Sequence, residues 1–379
     1  MANFLSNILS KIPGLGSSGS NTAIGIDIGV SAIKVVQLKR EGDKTRLVTY
    51  GALALGPYAD KYVGQETDLP INTTVEALSD LLRESKTTTK QGGIAIPFAS
   101  TLMTVMELPN VDEEELGQMI PMEARKHVPI SLDEVSLDWT VIPRSEQTSP
   151  HEGQPAQDNQ EESNKKVNVL MVAIRNDIID RYKRVVSRAE LDALFFEVEI
   201  FSAMRAVLAR EKAPVMVLDM GAASTKVYVI EGGAVRKTHT VNQGSVNITN
   251  AIAEALKVDM EAAEILKRGM TPEGQTEDRS AEVKQAASGV VKRILDEVAL
   301  FKQEYQQNHG TLERCILVGG GVLFEGFAQS ITDALSIPAE LANPFKEFSA
   351  PAFLEGVLTE NGPEFAVATG IALRRLDEN

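Results

Sequence analysis

The sequence predicts an α/β protein made of two similar halves, with a small αβ domain inserted into the first half and a helical subdomain in the second. Three observations lead to this prediction. "IGIDIGVSAIKVVQLKR" at 24–40 and "VMVLDMGAASTKVYVI" at 215–230 both read as two strands joined by a turn that contains Asp, any residue and Gly. A compact αβ segment separates the two copies, and a long run of helical periodicity follows the second copy.

The first half begins near Thr22 with this hairpin, which leads into a third strand, a helix and a fourth strand within residues 22–100. The helix is "INTTVEALSDLLRES", whose apolar residues recur at helical spacing, and the fourth strand is "GGIAIPF". Two further helices are expected near "DIIDRYKRVVSRAEL" and "EIFSAMRAVLARE". Residues 186–212 and a C-terminal helix at 364–376 are predicted to complete this half.

The inserted domain is predicted at residues 101–185. It contains the strand "LMTVMELP", the helix "DEEELGQMIPMEARKHV" and the strands "VSLDWTVIP" and "VNVLMVAIR". Between the last two strands, the polar run at 145–166 has no large apolar residue and cannot bury enough surface to order itself. It is therefore predicted to be a disordered loop.

The second half is predicted at residues 213–243 and 312–363, and its helical subdomain at 244–311. The helices of the subdomain are "GSVNITNAIAEALKV", "AAEILKRG" and "AEVKQAASGVVKRILDEVALFKQEYQQ". A strand, "RCILVGGG", then leads through three glycines to a helix expected to start near Leu323. The C-terminal helix should return from here to the first half.

The two hairpin turns predict a phosphate site. A carboxylate at the tip of a strand, followed by glycine in a tight turn, can hold a hydrated divalent cation while the backbone approaches a phosphate closely. Two such loops across a cleft could clamp a polyphosphate, with Asp27 and Asp219 near Mg²⁺ and the Gly29 and Gly221 turns against phosphate oxygens. The alternative is that each Asp only starts a hairpin turn, but two copies in the same context favour the site.

Two other glycine-containing segments are weaker candidates. Gly319, Gly320 and Gly321 follow an apolar strand, and bare backbone there could lie against a base or a phosphate, although a structural turn explains them equally well. Gly244 precedes a helix, whose first N–H groups and dipole could point at phosphate, or it simply starts that helix. Lys34 lies on the second strand and is interpreted as structural.

Composition excludes several functions. Acidic residues outnumber basic ones by 53 to 38, which disfavours non-specific binding to nucleic acid or anionic lipid. The single cysteine, Cys315, allows no intrachain disulfide and favours the cytoplasm. The four histidines lack metal-binding spacing, so no metal is expected beyond the Mg²⁺ of a nucleotide. No stretch approaches the roughly 20 apolar residues of a membrane-spanning helix, so the chain is expected not to cross a bilayer.

Residues 1–21 are predicted to be a short amphipathic segment and a linker. "FLSNILSKI" at 4–12 places its large apolar side chains on one helical face, and "PGLGSSGSN" at 13–21 has the composition of a flexible linker. One hypothesis is that residues 4–12 dock on a membrane surface or on a partner. The alternative is a disordered tail, because ordering the backbone offsets most of the gain from burying these side chains.

The order of these segments resembles the actin, Hsp70 and sugar-kinase superfamily over nearly the whole chain. Within it, "IGIDIGVSAIKVVQL", "EARKHVPISLDEVSLDWTVI" and "LDMGAASTKVYVI" resemble successive signature segments of the PilM family of actin-like type IV pilus assembly proteins. PilM and the cell-division protein FtsA are similar in carrying an inserted domain, called 1C, where residues 101–185 lie here. The resemblance implies an actin-like ATPase fold with two RNase H-like halves.

The resemblance also implies roles for individual residues. Asp27, Gly29 and Ser31 would form the first phosphate loop, and Asp219, Gly221 and Ser224 the second. Gly319 to Gly321 would lie beside adenosine, and Lys267 would lie along the helix "EILKRG" that flanks the base. A solvated helix lysine is an equal alternative for Lys267.

The function implied by the resemblance is that of a cytoplasmic ATP-binding scaffold for type IV pilus assembly, at the inner face of the cytoplasmic membrane. It would bind the N-terminal peptide of a PilN-like inner-membrane protein on the inserted domain at 101–185 with the adjoining part of the first half, where the strands "LMTVMELP" and "SLDWTVI" can present an apolar groove. It could also contact a pilus ATPase or platform proteins. Trp139 would be either an anchor for this peptide or part of the domain core.

Other functions stay open at this point. The fold also occurs in FtsA-like cell-division proteins, in other filament-forming proteins and in small-molecule kinases. No residue that orients an attacking water can be named from the sequence, so no catalytic residue is assigned and ATP hydrolysis is expected to be slow at most.

Overall fold

Three β-sheets flanked by helices form the framework of the computed structural model, which describes residues 20–142, 166–208, 211, 213–272 and 278–377. The amphipathic segment predicted at 4–12 lies outside the described residues. So does the loop predicted at 145–166, except for Lys166, which begins a strand.

The strands, in chain order, are β1 (Thr22–Ile28), β2 (Ala32–Glu41), β3 (Lys44–Ala54), β4 (Gln91–Ile96), β5 (Thr101–Pro109), β6 (Val135–Ile142), β7 (Lys166–Arg175), β8 (Asp192–Val198), β9 (Val215–Met220), β10 (Thr225–Glu231), β11 (Ala234–Val241), β12 (Cys315–Val318) and β13 (Ala339–Leu341). The α-helices are α1 (Ile71–Glu84), α2 (Glu113–Ala124), α3 (Asn176–Arg188), α4 (Glu199–Val207), α5 (Ser245–Leu256), α6 (Met260–Lys267), α7 (Ser280–Asn308), α8 (Phe327–Leu335), α9 (Glu355–Asn361) and α10 (Ala366–Asp377).

The two larger sheets share one plan. The first has the order β3-β2-β1-β4-β8 and the second the order β11-β10-β9-β12-β13. In each, three antiparallel strands are followed by two strands parallel to the middle one, β1 or β9. β9 is buried along its whole length, as expected for the central strand of a sheet covered on both faces. The two Asp-containing hairpins are therefore equivalent elements of the two sheets.

The core is shared between these sheets. The largest cluster of buried apolar side chains includes Ile26 of β1 together with Val217 of β9 and Val318 of β12. The other face of the second sheet packs on the subdomain helices through residues such as Leu218 and Ile294. One continuous core thus holds the two hairpin loops at fixed positions on either side of a cleft.

The third sheet belongs to the inserted segment and has the order β5-β7-β6, antiparallel throughout. Alternation along its central strand β7 directs Val169 and Met171 into a small core that also contains Ile120 of α2, while Leu170 and Val172 join the large core of the first half. Both faces of β7 are therefore buried, which explains its nearly continuous apolar sequence.

The C-terminal helix α10 packs against β1, β2 and α4 of the first half. Its approach to α4 is close: a Cβ atom built on Gly370 would lie 1.8 Å from the carbonyl oxygen of Ser202. Arg374, one turn later, donates a hydrogen bond of 2.9 Å to Glu197, which is fully buried at the end of β8. The close approach allowed by Gly370 and the ion pair between Arg374 and Glu197 thus fix the position of α10.

The helix expected near Leu323 starts later. Residues 320–323 form a single 3-10 turn and α8 begins at Phe327, because Gly326 adopts a left-handed conformation, with φ of 81°, between the two. In the part of the chain that the structure describes, no helix has the length and apolar composition required to span a membrane.

Candidate functional site

The two Asp-containing hairpins form matching loops that face one cleft. In the first loop the amide of Gly29 donates a hydrogen bond of 3.0 Å to the carbonyl of Ala32, and in the second the amide of Gly221 donates one of 3.0 Å to the carbonyl of Ser224. These glycine amides close the turns themselves. Any amide contact with a phosphate therefore falls to the residues that follow each glycine.

Eight of the eleven predicted site residues line this cleft: Asp27, Gly29, Ser31, Asp219, Gly221, Ser224, Gly319 and Gly320. Gly321, Gly244 and Lys267 are not among its lining residues. Gly321 is buried in the 3-10 turn beside Met220 of β9, where it serves packing.

Gly319 holds the third wall of the cleft close to the second loop. Its φ angle of 87° is one that residues with a side chain rarely adopt. A Cβ atom at this position would also lie 2.6 Å from Oδ1 of Asp219 and 2.5 Å from the carbonyl oxygen of Met220. Only glycine lets the end of β12 pass this close to the Asp219 carboxylate.

Gly244 caps helix α5 directly behind the second loop. Its amide donates to Oδ1 of Asn247 at 2.8 Å, and the amides of Ser245 and Val246 donate to the carbonyls of Gly221 and Ala222. These first N–H groups brace the loop from behind and already have protein partners. A contact between Gly244 and phosphate, expected from the sequence, stays a prediction.

Lys267 lies in a second cavity, bounded by α6, the start of α7 and Phe324. Its ammonium group donates to Glu264 at 2.6 Å and to Thr249 at 2.9 Å, and only 10% of its side chain is exposed. Burial is the main reason that its pKa falls below the ordinary value, although Glu264 opposes this shift. The alternative of a solvated helix lysine is therefore wrong.

Three charged residues that line the cleft were not predicted from the sequence: Glu199, Lys226 and Glu364. Glu199, the first residue of α4, accepts a hydrogen bond of 2.6 Å from the amide of Phe98. Lys226 of β10 lies 2.9 Å from Oε1 of Glu199 and 3.5 Å from Oδ2 of Asp219. This ion pair connects the two halves across the floor of the cleft.

A signal for Lys226 was present in the sequence. In the antiparallel pairing of the strands, Asp27 lies opposite Lys34 in the first hairpin, and Asp219 lies opposite Lys226 in the second. Each lysine follows its aspartate by seven residues, so the repeated motif is Asp-x-Gly-x-x-x-x-Lys. Lys34, interpreted from the sequence as structural, also lines the cleft.

Burial and neighbouring charges in the cleft shift the pKa values of two of its side chains. Removal from water, reinforced by Glu199 and Asp219 and opposed by Lys34 and Lys226, raises the pKa of Asp27 from 3.8 to about 6. Burial alone would lower the pKa of Lys226, but the carboxylates of Asp219 and Glu199 raise it above its ordinary value. The folded state therefore loses stability as Asp27 ionises between about pH 4 and pH 6, and a bound cation would offset this loss.

The residues of the cleft fit the phosphates of a nucleotide better than a metal held by the protein alone. Gly29, Gly221 and Gly320 line the cleft without side chains, which lets a phosphate approach the backbone, and Lys34 and Lys226 supply positive charge. Among the described residues, no three His, Cys, Asp or Glu side chains are arranged to hold a metal ion. Mg²⁺ would therefore be held mainly by phosphate oxygens and water, with Asp27 and Asp219 accepting hydrogen bonds from that water.

A separate groove, defined here as the α3 groove, lies on the other side of the first loop. Its lining residues are Ile28, Gly29, Val30, Leu55, Thr67, Asp68, Leu69, Thr74, Pro97, Ser100, Ile178, Arg181, Tyr182 and Val185. Arg181 closes one side by donating to Leu69 O at 2.7 Å and Asp68 at 3.2 Å. Thr67 donates from its amide and its hydroxyl to the carbonyl of Val30, so the groove and the first loop share a wall.

The α3 groove is not the one expected from the strands at 101–108 and 136–142, and a peptide groove on those strands stays a prediction. In the third sheet β7 lies between β5 and β6, so these two strands are not adjacent to each other. Trp139 is half-buried and packs against the small core under α2, as the core alternative predicted. The apolar lining of the α3 groove comes partly from α3, which directly follows β7, and partly from residues of the first half such as Val30 and Leu69.

Comparison with known proteins identifies relatives of this chain. The family model described as type IV pilus assembly protein PilM matches residues 25–376. The chain is similar to a solved structure of a PilM-PilN type IV pilus biogenesis complex, with 24% identity and a TM-score of 0.76, over 95% of this chain and 99% of that chain.

More distant structures share the fold. The ethanolamine utilization protein EutJ from Carboxydothermus hydrogenoformans is 16% identical with a TM-score of 0.55, over 98% of this chain and 93% of that chain. A diol dehydratase-reactivating factor in nucleotide-free form is 12% identical with a TM-score of 0.51, over 94% of this chain and 100% of that chain. These similarities confirm the predicted actin-like α/β fold.

Proposed function

The chain belongs to the type IV pilus assembly protein PilM family, and from this membership we propose that it is an ATP-binding scaffold of the pilus assembly machinery. The observation that carries the proposal is the pair of matching Asp-x-Gly loops on one cleft, closed on a third side by the Gly319 turn. ATP binds in this cleft together with Mg²⁺.

The proposed roles follow the geometry of the cleft. Asp27 and Asp219 order the water around Mg²⁺, and Lys34 faces the phosphates. The loops that contain Ser31 and Ser224 carry the remaining phosphate contacts. Adenosine lies beyond the Gly319–Gly321 turn, toward the cavity that contains Lys267, where Phe324 offers an aromatic ring to a base.

We expect Mg-ATP to stabilise the folded chain, by about 2.7 kcal/mol at 100 times its dissociation constant. Asp219→Asn keeps the shape of the side chain but removes its charge, so it should abolish most of this stabilisation. The measurement is thermal unfolding with and without Mg-ATP. Asp180→Asn is the matched control, because Asp180 pairs with Lys183 on the exposed face of α3. An equal shift in both variants would contradict the assignment.

The proposed partner is the N-terminal peptide of a PilN-like membrane protein. Two observations support it: the similar solved structure is that of a PilM-PilN complex, and the α3 groove offers apolar walls with a charged side chain at one edge. Because the groove shares Val30 with the first loop, an occupied groove would fix the loop that faces the nucleotide. Such a contact would hold the chain at the inner face of the cytoplasmic membrane, where a pilus ATPase or platform proteins could also bind it.

Ile178→Glu is expected to weaken peptide binding at least about tenfold, because it places a charge in the apolar wall of the groove. The measurement is a fluorescence titration with a synthetic peptide that copies the N-terminus of the PilN-like protein from the same organism. Val105→Glu is the control, since Val105 is exposed on β5, outside the groove. Selective weakening by Val105→Glu would place the peptide on the strands of the inserted domain, contrary to this proposal.

A further inference from the structure

The charged side chains around the cleft would repel the phosphates of a nucleotide. Its lining contains four carboxylates against two lysines, a net charge of −2 with all groups ionised: Asp27, Glu199, Asp219, Glu364, Lys34 and Lys226. A polyphosphate tail is itself strongly negative. Its entry requires cations that neutralise both partners.

Lys226 already occupies the centre of the acidic group. Its ammonium lies between Glu199 and Asp219, at 2.9 Å and 3.5 Å, and 12% of its side chain is exposed. The two carboxylates are about as well buried, with 10% and 9% of their side chains exposed. A unit charge in such a poorly hydrated position acts far more strongly on its neighbours than one at the surface.

We propose that Lys226 is a cation built into the cleft, which neutralises the Glu199 and Asp219 carboxylates and donates to the phosphates of a bound nucleotide. Nucleotide binding then depends less on Mg²⁺ than it would without this lysine. The inference rests on the proposed ATP site and adds to it the residue that sets its metal dependence.

Lys226 also forms a contact between the two halves of the protein. Lys226 lies on β10 of the second sheet, whereas Glu199 begins α4, directly after β8 of the first sheet. Their ion pair holds the two halves together at the cleft floor. A phosphate group that enters above it can share the ammonium donors, since Lys has three of them.

The test compares the dissociation constant of ATP in Mg²⁺ with that in EDTA, measured by calorimetric titration. In Lys226→Met the ratio of the two constants should rise at least about tenfold over that of the unmodified chain, as expected for the loss of a neighbouring charge. Lys226→Arg, which keeps the charge, should retain the original ratio. Lys237→Met is the matched control, because Lys237 lies on β11 and pairs with Glu304 outside the cleft.

If Lys226→Met fails to fold, Lys226→Gln serves in its place, since its amide can still donate to Glu199 and Asp219. An unchanged ratio in the Met or Gln variant would overturn the role of Lys226, as would an equal rise in Lys237→Met. These outcomes leave the ATP site intact if Mg-ATP still binds. Failure of the unmodified chain to bind ATP under either condition would overturn both proposals.

Discussion

Replacing Glu197 with alanine is expected to lower the free energy of unfolding by about 3 to 5 kcal/mol. Glu197 is fully buried and accepts hydrogen bonds from Arg205 at 2.6 and 2.8 Å, from Arg374 at 2.9 Å and from Ser202 at 2.6 Å. Its removal leaves two guanidinium groups without their shared carboxylate. Denaturant unfolding at neutral pH measures the change.

The pH dependence follows from the same contacts. Burial alone would raise the pKa of Glu197, but Arg205 and Arg374 bring it below the ordinary value. Because the folded pKa is lowered, the stabilisation is present at neutral pH and is lost as the pH falls through the folded value. The difference between the unmodified chain and Glu197→Ala should therefore shrink in acid.

Glu304→Ala is the control for this prediction, because Glu304 of α7 forms a largely exposed ion pair with Lys237 of β11. Exposed pairs contribute little, so this variant should unfold almost like the unmodified chain. Equal losses in the two variants would contradict the importance of burial. Glu197 also lies two residues before Glu199, so its loss should disturb the floor of the cleft.

The local elements of this fold could be predicted from the sequence because their signals are local. Each Asp-containing hairpin has alternating apolar residues around a glycine turn, and the observed strands β1, β2, β9 and β10 follow these patterns. The helices of the second half were equally clear. The ends of the helices were harder to predict. The helix α8, expected near Leu323, begins four residues later, because Gly326 in a left-handed conformation precedes it.

The composition of the cleft was only partly predictable. Asp27 and Asp219 carry a visible motif, whereas Glu199 reaches the cleft from the start of a helix that follows a different strand, and tertiary packing alone brings it there. Lys226 could have been found, since the seven-residue spacing from aspartate to lysine occurs in both hairpins. Comparing the two copies position by position would have revealed it.

The order of strands in the inserted sheet could not be predicted from the sequence, and the position of the peptide groove stays a prediction. β5 and β6 come first along the chain, but β7, which comes later, pairs between them. A sequence pattern shows which residues alternate within a strand and does not show which strand lies beside which. The wall of the α3 groove therefore required the structure.

The C-terminal helix offers a prediction in which two effects have opposite signs. Gly370 lies inside α10, where alanine would be favoured by about 1 kcal/mol on helix propensity. A Cβ atom at this position would lie 1.8 Å from the carbonyl oxygen of Ser202 and 2.4 Å from its carbonyl carbon. These are backbone atoms of α4, so no rotamer change relieves the overlap. The helix would have to move as a unit.

Gly370→Ala is therefore expected to destabilise the chain by about 2 kcal/mol or more, since overpacking in a rigid core exceeds the gain in propensity. Gly289→Ala is the matched control: Gly289 lies inside α7 with nothing within 4 Å of an added Cβ, so alanine there should stabilise by up to about 1 kcal/mol. Denaturant unfolding of both variants gives the two signs directly. A Gly370→Ala chain as stable as Gly289→Ala would mean that α10 does not pack against α4 as closely as described, and Arg374 would then lose its position beside Glu197.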